Sequence, residues 1–231
     1  MSWYYGSDTN NATPFPSCAS AAPNFYIGKI GAGISQVTGY FDTTAANDAG
    51  YFQTFAYWDL EGPGSRGQYS PSAWGNAQAK AFVNAWNSGD YAGYLGGTTF
   101  FLDTESGNLG WAGQSQSQNQ EVLAGALEYL STASTILGQE AYPGIYISQS
   151  DWDTLFGSGF VPGNGFVLWL AGTNCPSCSQ AQSDFGSKPS VGGYKTMIWQ
   201  YAASPGCGNQ DLDITPYEGY YLNHTWKPVV A

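Results

Sequence analysis

Hydrophobic positions along this chain follow two periods, one typical of short buried strands and one typical of amphipathic helices. The clearest helix is predicted over residues 119–137, where Leu123, Leu127, Leu130 and Leu137 recur at helical spacing. Weaker helices are predicted over residues 43–48, 73–86, 151–156 and 179–185, with Ser72 capping the second. Short apolar runs predict eight strands, over residues 3–7, 24–30, 52–58, 100–105, 144–148, 166–171, 196–202 and 212–215.

Strands that alternate with helices indicate a parallel sheet, because a helix carries the chain back to the start of the next parallel strand. Eight strands in 231 residues suggest that the sheet closes into a barrel. Only one weak helix falls among the last three strands, so the helical layer thins toward the C-terminus. No linker divides two hydrophobic halves, and we therefore expect an α/β fold with one domain.

Carboxylates follow several of these strands. The fourth strand ends in Asp103 and Glu105, which project to one side because strand side chains alternate with period two. An isolated Asp-x-Glu is more often a solvated turn. Here Asp8 follows the first strand and Asp213 lies on the last, and a closed barrel makes these two strands neighbours. Four acids directed into one barrel mouth are costly unless they are protonated or paired, and that cost points to function.

Aromatic residues lie near the same strand ends. Rings stack on the apolar faces of sugars, but they also fill barrel cores, and for any single ring the core is at least as good an interpretation. Asp59, at the end of the third strand, has a solvated loop as its simpler alternative. The candidate substrate-binding residues are Tyr57, Trp58, Asp59, Tyr146, Trp169, Trp199 and Tyr201.

Composition and charge exclude several classes of binding partner. Charged residues make up 10% of the chain and aromatic residues 16%, and the net charge is −11. Such a chain can bury a core, and its acidity argues against nucleic acid or anionic membranes as partners. No apolar run is long enough to span a membrane, and residues 1–3 lead directly into a strand. The chain is therefore either cytosolic or a secreted protein whose leader has been removed.

The four cysteines indicate whether the protein works inside or outside the cell. Cys175 and Cys178 form a Cys-Pro-Ser-Cys motif, which could be a redox motif, half of a zinc site or a tight disulfide loop. An even number of cysteines in a chain with few charges favours disulfides and export. If two bridges form, we expect Cys18 to pair with Cys207, because a barrel brings their loops to the same rim. Cys175 and Cys178 would then form the second bridge.

The chain resembles the family 25 glycoside hydrolases, which are lysozyme-type muramidases, and the glycoside-hydrolase-like barrels related to them. The resemblance covers residues 3–216 through six short motifs that are weak singly and fairly specific as an ordered set. These motifs are Gly6-Ser-Asp8, Phe25 to Lys29, Leu102-Asp-Thr-Glu105, Pro143-Gly-Ile-Tyr-Ile-Ser148, Leu168-Trp-Leu-Ala171, and Trp199-Gln-Tyr201 followed by Asp213.

This resemblance implies a single flattened TIM-like (β/α)5β3 barrel, which we assign to residues 1–216. Residues 217–231 lie outside the resemblance, and we expect them to form a C-terminal extension packed on the barrel. The resemblance also implies cleavage of the β-1,4 bond between N-acetylmuramic acid and N-acetylglucosamine. Glu105 would be the general acid/base, and a raised pKa would suit that role. Asp103 and Asp213 would stabilise the transition state or the substrate acetamido group, and Asp8 would orient a partner or hold the closing strand.

Two departures from the family pattern fall at the cleft rim. The family's second strand continues from its Lys into Ala-Thr-Glu-Gly, whereas Lys29 is followed here by Ile-Gly-Ala-Gly. The third strand usually ends in Tyr-His-Phe, whereas Tyr57-Trp-Asp stands here. The lone histidine, His224, lies near the C-terminus, so a nucleophilic triad with histidine is not expected.

Two functions therefore remain in competition. The first is a secreted glycosidase acting on peptidoglycan, without metal or cofactor. The second is a non-catalytic barrel of the same fold that binds glycan or serves as an extracellular structural protein. The retained acids favour the enzyme, and the altered strand ends favour the binding protein or a different glycan.

Overall fold

The computed structural model describes residues 3–8, 24–50, 53–89, 91, 97–172, 176–203, 211–216 and 227–231. Its strands are β1 (Tyr4–Ser7), β2 (Phe25–Ala32), β3 (Ser35–Gln36), β4 (Gln53–Asp59), β5 (Thr98–Asp103), β6 (Ala141–Ile147), β7 (Val167–Ala171), β8 (Thr196–Ala202) and β9 (Leu212–Thr215). Its helices are α1 (Thr43–Ala49), α2 (Pro71–Ser88), α3 (Gln116–Ser131), α4 (Ala133–Leu137), α5 (Gln149–Leu155) and α6 (Cys178–Phe185), with a 3₁₀ turn at Pro63–Ser65.

Eight strands close into a mixed α/β barrel, as predicted. The strands follow the order β1-β9-β8-β7-β6-β5-β4-β2, and the pairing of β1 with β2 closes the ring. All neighbours are parallel except at β9, which runs antiparallel to both β8 and β1. The short β3 is a hairpin partner of β2 and stands outside the ring. Helices lie between the strands from β2 to β8, and the segments on either side of that range fall largely outside the described residues.

Side-chain alternation divides the barrel into two cores. Phe55, Phe101 and Trp169 belong to the inner cluster, which fills the barrel. Trp58 and Phe82 belong to the outer cluster, which lies between the strands and the helices. Because neighbouring residues on a strand face opposite ways, each strand contributes to both cores.

The helices differ from prediction in two details. Ser70 rather than Ser72 caps α2, and its hydroxyl accepts the Ala73 N–H at 3.3 Å while Pro71 occupies the first helical position. The predicted long helix over residues 119–137 is two helices that meet at Thr132. There the Thr132 hydroxyl donates to the Tyr129 carbonyl at 2.7 Å, a local bond that competes with a continuous helical ladder.

The glycine-rich loop after β5 is anchored by hydrogen bonds to the loop after β4. Trp111 is buried, and its indole N–H donates to the Leu60 carbonyl at 2.9 Å. The amide N–H groups of Gly62 and Gly64 donate to the carbonyls of Leu109 and Gly110 at 2.7 and 2.8 Å. The loops after β4 and β5 therefore form one connected wall.

The ends of the chain and the cysteines are described only in part. Residues 227–231 contact the barrel: the Lys195 N–H donates to the Val229 carbonyl at 2.8 Å, and Val229 packs on the inner core. Cys178 is disulfide-bonded, whereas Cys18, Cys175 and Cys207 lie outside the described residues, so the predicted pairing stays a prediction. No helix within the described ranges is long and apolar enough to cross a membrane.

Candidate active site

The carboxyl ends of four adjacent strands place one row of side chains inside the barrel. Asp59, Asp103, Tyr146 and Trp169 pair in sequence across β4, β5, β6 and β7. They lie at one height and on one face of the sheet, because side chains on paired parallel strands alternate in step. Above this row opens a cavity of about 320 Å³, lined by Asp8, Tyr57, Asp103, Glu105, Tyr146, Trp169, Gln200, Ala203 and Asp211.

Hydrogen bonds on both sides fix the turn that carries Glu105. The N–H and hydroxyl of Thr104 both donate to the Tyr146 carbonyl at 3.1 Å. The side-chain amide of Asn108 donates to the Asp103 carbonyl at 3.0 Å and to Asp103 Oδ1 at 3.1 Å. Glu105 itself follows the last residue of β5 by two positions. The strand therefore sets the direction of Glu105, and the turn holds it at the cavity.

Glu105 is half-buried and its carboxyl forms no hydrogen bond or ion pair with any residue in the described part of the chain. Burial raises the pKa of Glu105, and the charges of Asp151, Asp59 and Asp211 raise it further. A carboxylic acid that keeps its proton to higher pH and has no protein partner is suited to donate that proton to a ligand.

Asp103, unlike Glu105, has a polar hydrogen-bond partner among the described residues. Burial and the neighbouring Glu105 raise its pKa well above the usual range, but Asn108 and Lys29 both favour its charged form. Lys29 forms an ion pair with Asp59, whose pKa is nevertheless raised by burial. The positive charge of Lys29 thus lies beside Asp103 and is balanced by the carboxylate of Asp59. Both Lys29 and Asp59 are at the strand ends where the chain departs from the family pattern.

A hydrogen-bonded chain crosses the other side of the cavity. The Tyr146 hydroxyl donates to Gln200 Oε1 at 2.6 Å, and Gln200 Nε2 donates to Asp8 Oδ2 at 2.7 Å. Burial raises the pKa of Asp8 strongly, with further contributions from Asp213 and Asp211, and the Gln200 bond opposes this. Asp8, Asp211 and Asp213 meet here because β1 and β9 are paired, as the sequence predicted for Asp8 and Asp213.

Asp213 lies below the cavity rather than in its wall. Its side chain has no exposed surface, and Oδ1 accepts the Trp169 indole N–H at 2.7 Å while Oδ2 has no hydrogen-bond partner in the described part of the chain. Burial raises its pKa well above the usual range. Of the four predicted acids, three therefore line the cavity, and Asp213 supports Trp169 from behind. Asp211, which is not among the predicted site residues, lines the cavity instead.

Three predicted substrate-binding rings face away from the cavity and need correction. Trp58 is fully buried in the outer core, stacked on Phe82 at 5.4 Å between ring centroids. Trp199 and Tyr201 are also buried in the outer core. Gln200, between them, faces inward and was missed, although the period-two alternation of β8 places it on the face opposite Trp199 and Tyr201. Tyr57, Tyr146 and Trp169 do line the cavity, whereas Asp59 is held by Lys29 beside it.

Comparison with solved structures identifies the architecture. A GH25 lysozyme from Aspergillus fumigatus matches 97% of this chain and 100% of its own, with a TM-score of 0.62 at 20% identity. The chain has the family 25 glycoside hydrolase fold. A muramidase from Trichobolus zukalii (TM-score 0.60, 20% identity, 95% and 97% of the two chains) has the same fold. So does a bacterial lysozyme from Streptomyces coelicolor (0.56, 23%, 95% and 94%). No family model and no curated protein matches the sequence itself.

The family 25 fold therefore places the cavity at the carboxyl ends of the parallel strands, where barrel enzymes carry their catalytic groups. Within the described residues, no group of three or more His, Cys, Asp or Glu side chains has a geometry that could hold a metal ion. The chemistry available at the cavity is that of carboxyl groups with raised pKa values, amides and phenols.

Proposed function

We propose that this protein is a secreted glycoside hydrolase that cleaves β-1,4 bonds in peptidoglycan, with Glu105 as its general acid/base. The observation that carries the proposal is the Glu105 carboxyl, which has no hydrogen-bond or ion-pair partner among the described residues and is held at the cavity with a raised pKa, close to Asp103. The family 25 fold supports it, since three proteins of that fold are named lysozymes or muramidases. Secretion is supported by the low fraction of charged residues and the even number of cysteines.

In this mechanism Glu105 gives its proton to the glycosidic oxygen as the bond to the anomeric carbon breaks. The carboxylate that remains then accepts a proton from the attacking water, which restores the acid. Asn108 and Lys29 favour the carboxylate form of Asp103 against the effect of burial, and in that form Asp103 offsets the positive charge that develops on the sugar ring. Asp8 and Tyr146, linked through Gln200, hold the opposite side of the sugar.

The barrel residues give the substrate a shaped site. Tyr57 and Trp169 lie with ring centroids 6.1 Å apart, and Trp169 and Tyr146 with centroids 4.4 Å apart, at the cavity floor. Tyr57, which is only partly buried, provides apolar surface for a pyranose ring and a hydroxyl as a polar partner, and the buried Tyr146 and Trp169 support it. The combination matches a polysaccharide better than a small charged metabolite.

Reducing-end release from purified peptidoglycan, across the acidic-to-neutral pH range, tests this proposal. The comparison is between the unaltered chain and Glu105→Gln, which keeps the shape of the side chain and removes the proton. We expect the substitution to lower turnover by about 10²–10⁴-fold, the usual contribution of a general acid. The exposed Glu128→Gln on α3 is the matched control.

Turnover that survives Glu105→Gln would exclude Glu105 as the acid. Absence of turnover by the unaltered chain on peptidoglycan, followed by absence on a panel of other β-1,4 glycans, would instead favour the non-catalytic barrel that binds glycan or builds an extracellular structure. In that case the Lys29–Asp59 ion pair, at the altered strand ends, would be the first feature to test for a role in glycan binding.

A further inference from the structure

A second cavity, of about 570 Å³, lies at the same end of the barrel as Glu105 but over β2 and β4. Ile34 is two residues beyond the end of β2. The segment from Ser65 to Tyr69 begins at the last residue of the 3₁₀ turn that follows β4. Its lining residues are Ile34, Ser65, Arg66, Gly67, Gln68, Tyr69 and Trp74. None of them lines the cavity that holds Glu105, so this is a separate site on the same face.

One wall of this second cavity combines an exposed ring with a positive charge. Tyr69 is 46% exposed, and its ring lies 5.6 Å from that of Trp74, which is fixed by donating its indole N–H to the Glu61 carbonyl at 3.0 Å. Ile34, on the opposite side, is 53% exposed. Exposed aromatic and aliphatic side chains around a polar-rimmed cavity are typical of ligand sites.

Arg66 is the sole arginine in a chain of net charge −11. Its Nη1 donates to the Pro63 carbonyl at 2.7 Å, and it forms no ion pair within the described residues. The guanidinium group is therefore oriented by one bond while most of its five N–H donors remain for a ligand. A guanidinium fork matches the geometry of a carboxylate.

The wall is also rigid before any ligand arrives. The Tyr69 N–H donates to the Arg66 carbonyl at 3.0 Å, which closes a turn around Gly67, whose φ of +56° suits glycine. The preceding segment is bonded to Leu109 and Gly110 of the loop after β5. Because the ring and the guanidinium are held in place beforehand, binding loses little conformational entropy.

We propose that this second cavity is a binding subsite for a glycan segment that carries a carboxylate, with the sugar on Tyr69 and Ile34 and the carboxylate on Arg66. The inference rests on the proposed function for its substrate, because a chain bound at Glu105 can extend across the same barrel face. In peptidoglycan the carboxylate has two sources, namely the lactyl group of muramic acid and the attached peptide. Both offer the same chemistry to Arg66.

The test is equilibrium binding by Glu105→Gln, a background in which the polymer is not consumed. The polymers are intact peptidoglycan, glycan strands stripped of peptide by an amidase, and chitin, which is neutral. We expect Arg66→Gln to weaken binding to at least one carboxylate-bearing polymer by about tenfold, as for one lost charge-assisted hydrogen bond, and to leave chitin binding unchanged. Tyr69→Ala should weaken binding to all three, because stacking does not require charge.

Lys80→Gln, which removes an equal charge from the exposed side of α2, is the matched control. A loss confined to intact peptidoglycan assigns the carboxylate to the peptide, and a loss on stripped strands assigns it to the lactyl group. Equal binding by Arg66→Gln and Lys80→Gln on every polymer overturns the inference. Turnover is measured separately with Glu105 intact, so an inactive chain with Arg66-dependent binding would overturn the proposed function alone.

Discussion

The Asp151 carboxylate accepts the backbone N–H of Ser106 at 3.2 Å, directly beside Glu105. It also accepts the Ser148 hydroxyl at 2.6 Å, and Ser148 caps α5 at the end of β6. Asp151 therefore joins the turn that carries Glu105 to the neighbouring strand. Its negative charge also raises the pKa of Glu105, second only to burial. One side chain thus both positions the candidate acid and favours its protonated form.

We expect Asp151→Asn to move the alkaline limb of the pH–rate profile to lower pH. Asp151 raises the pKa of Glu105, so removing its charge lowers that pKa, and Glu105 then loses its proton at lower pH. A general acid works only while protonated, and activity must fall earlier as pH rises. The measurement is kcat/KM against pH on peptidoglycan.

Asp153→Asn is the control for this prediction, because Asp153 lies on the exposed side of the same helix and its carboxylate accepts from Gln149 rather than from the turn that carries Glu105. Its profile should match that of the unaltered protein. An alkaline limb that does not move in Asp151→Asn would mean that Asp151 only anchors the turn.

Gln200→Leu should destabilise the fold and the site together. The substitution leaves the Tyr146 hydroxyl and Asp8 Oδ2 without their partner in a buried setting, which costs about 1–3 kcal/mol in the free energy of unfolding. Tyr146→Phe keeps the Gln200–Asp8 bond and should cost less, about 0.5–1.5 kcal/mol. Urea denaturation of both variants measures the difference, and equal losses would show that the Asp8 bond contributes nothing.

Substitutions on the outward face of β4 should affect stability, and substitutions on its inward face should affect activity. Trp58→Phe removes the indole N–H bond to the Gly33 carbonyl in the outer core and should cost about 1–3 kcal/mol. Its kcat/KM per folded molecule should not change. Tyr57→Phe removes a hydroxyl from the cavity and should lower kcat/KM severalfold with little loss of stability. Denaturation and kinetics on both variants decide this, and a kinetic defect confined to Trp58→Phe would contradict the assigned faces.

Stability should decrease as pH rises from acid toward neutral, in part because of Asp213. Its pKa in the folded chain is well above the ordinary 3.8, since burial disfavours the charged form. Between the unfolded and folded pKa values the folded state binds more protons, so the free energy of unfolding falls with rising pH. Asp213→Asn retains an oxygen for the Trp169 indole N–H and should show a flatter dependence. Denaturation near pH 4 and near pH 7 checks this, and parallel slopes would contradict it.

Strand identity and barrel closure could be predicted because both depend on local patterns. Apolar runs marked β8 and β9 to within their observed bounds, and the alternation of strands with helices indicated a parallel barrel. The acids were found for the same reason, since Asp8 and Asp103 follow directly from strand ends. The fold is confirmed by the closed ring of strands and by its structural neighbours.

Errors arose where residue type was considered without strand phase. Trp58, Trp199 and Tyr201 were chosen as rings near the acids, yet each is adjacent in sequence to an inward residue and must face outward. Asp151 belongs to none of the motifs, and within Trp199-Gln-Tyr201 the two rings were chosen rather than Gln200. The hydrogen-bond partners of Asp151 and Gln200, Ser106 and Asp8, are distant in sequence. Such long-range hydrogen bonds depend on the tertiary arrangement.

Trp58 also explains one departure in the second strand. The Trp58 ring lies so close to Gly31 that a Cβ there would stand 1.9 Å from it. A larger residue at position 31 would have to displace the indole ring. The Ile-Gly-Ala-Gly segment after Lys29 and the tryptophan in β4 are therefore physically linked, and neither is explained by the cavity.

The division of each strand into an inward and an outward set has a consequence for how such a protein changes over time. Outward positions such as Trp58 hold the helices to the barrel, whereas the inward Tyr57 lines the cavity and the inward Asp59 lies beside it. Substitutions at the second set can accumulate without weakening the first, because the two sets contact different neighbours. The scaffold can therefore be preserved while the residues around the cavity change, and sequence identity near 20% can coexist with a nearly complete structural match.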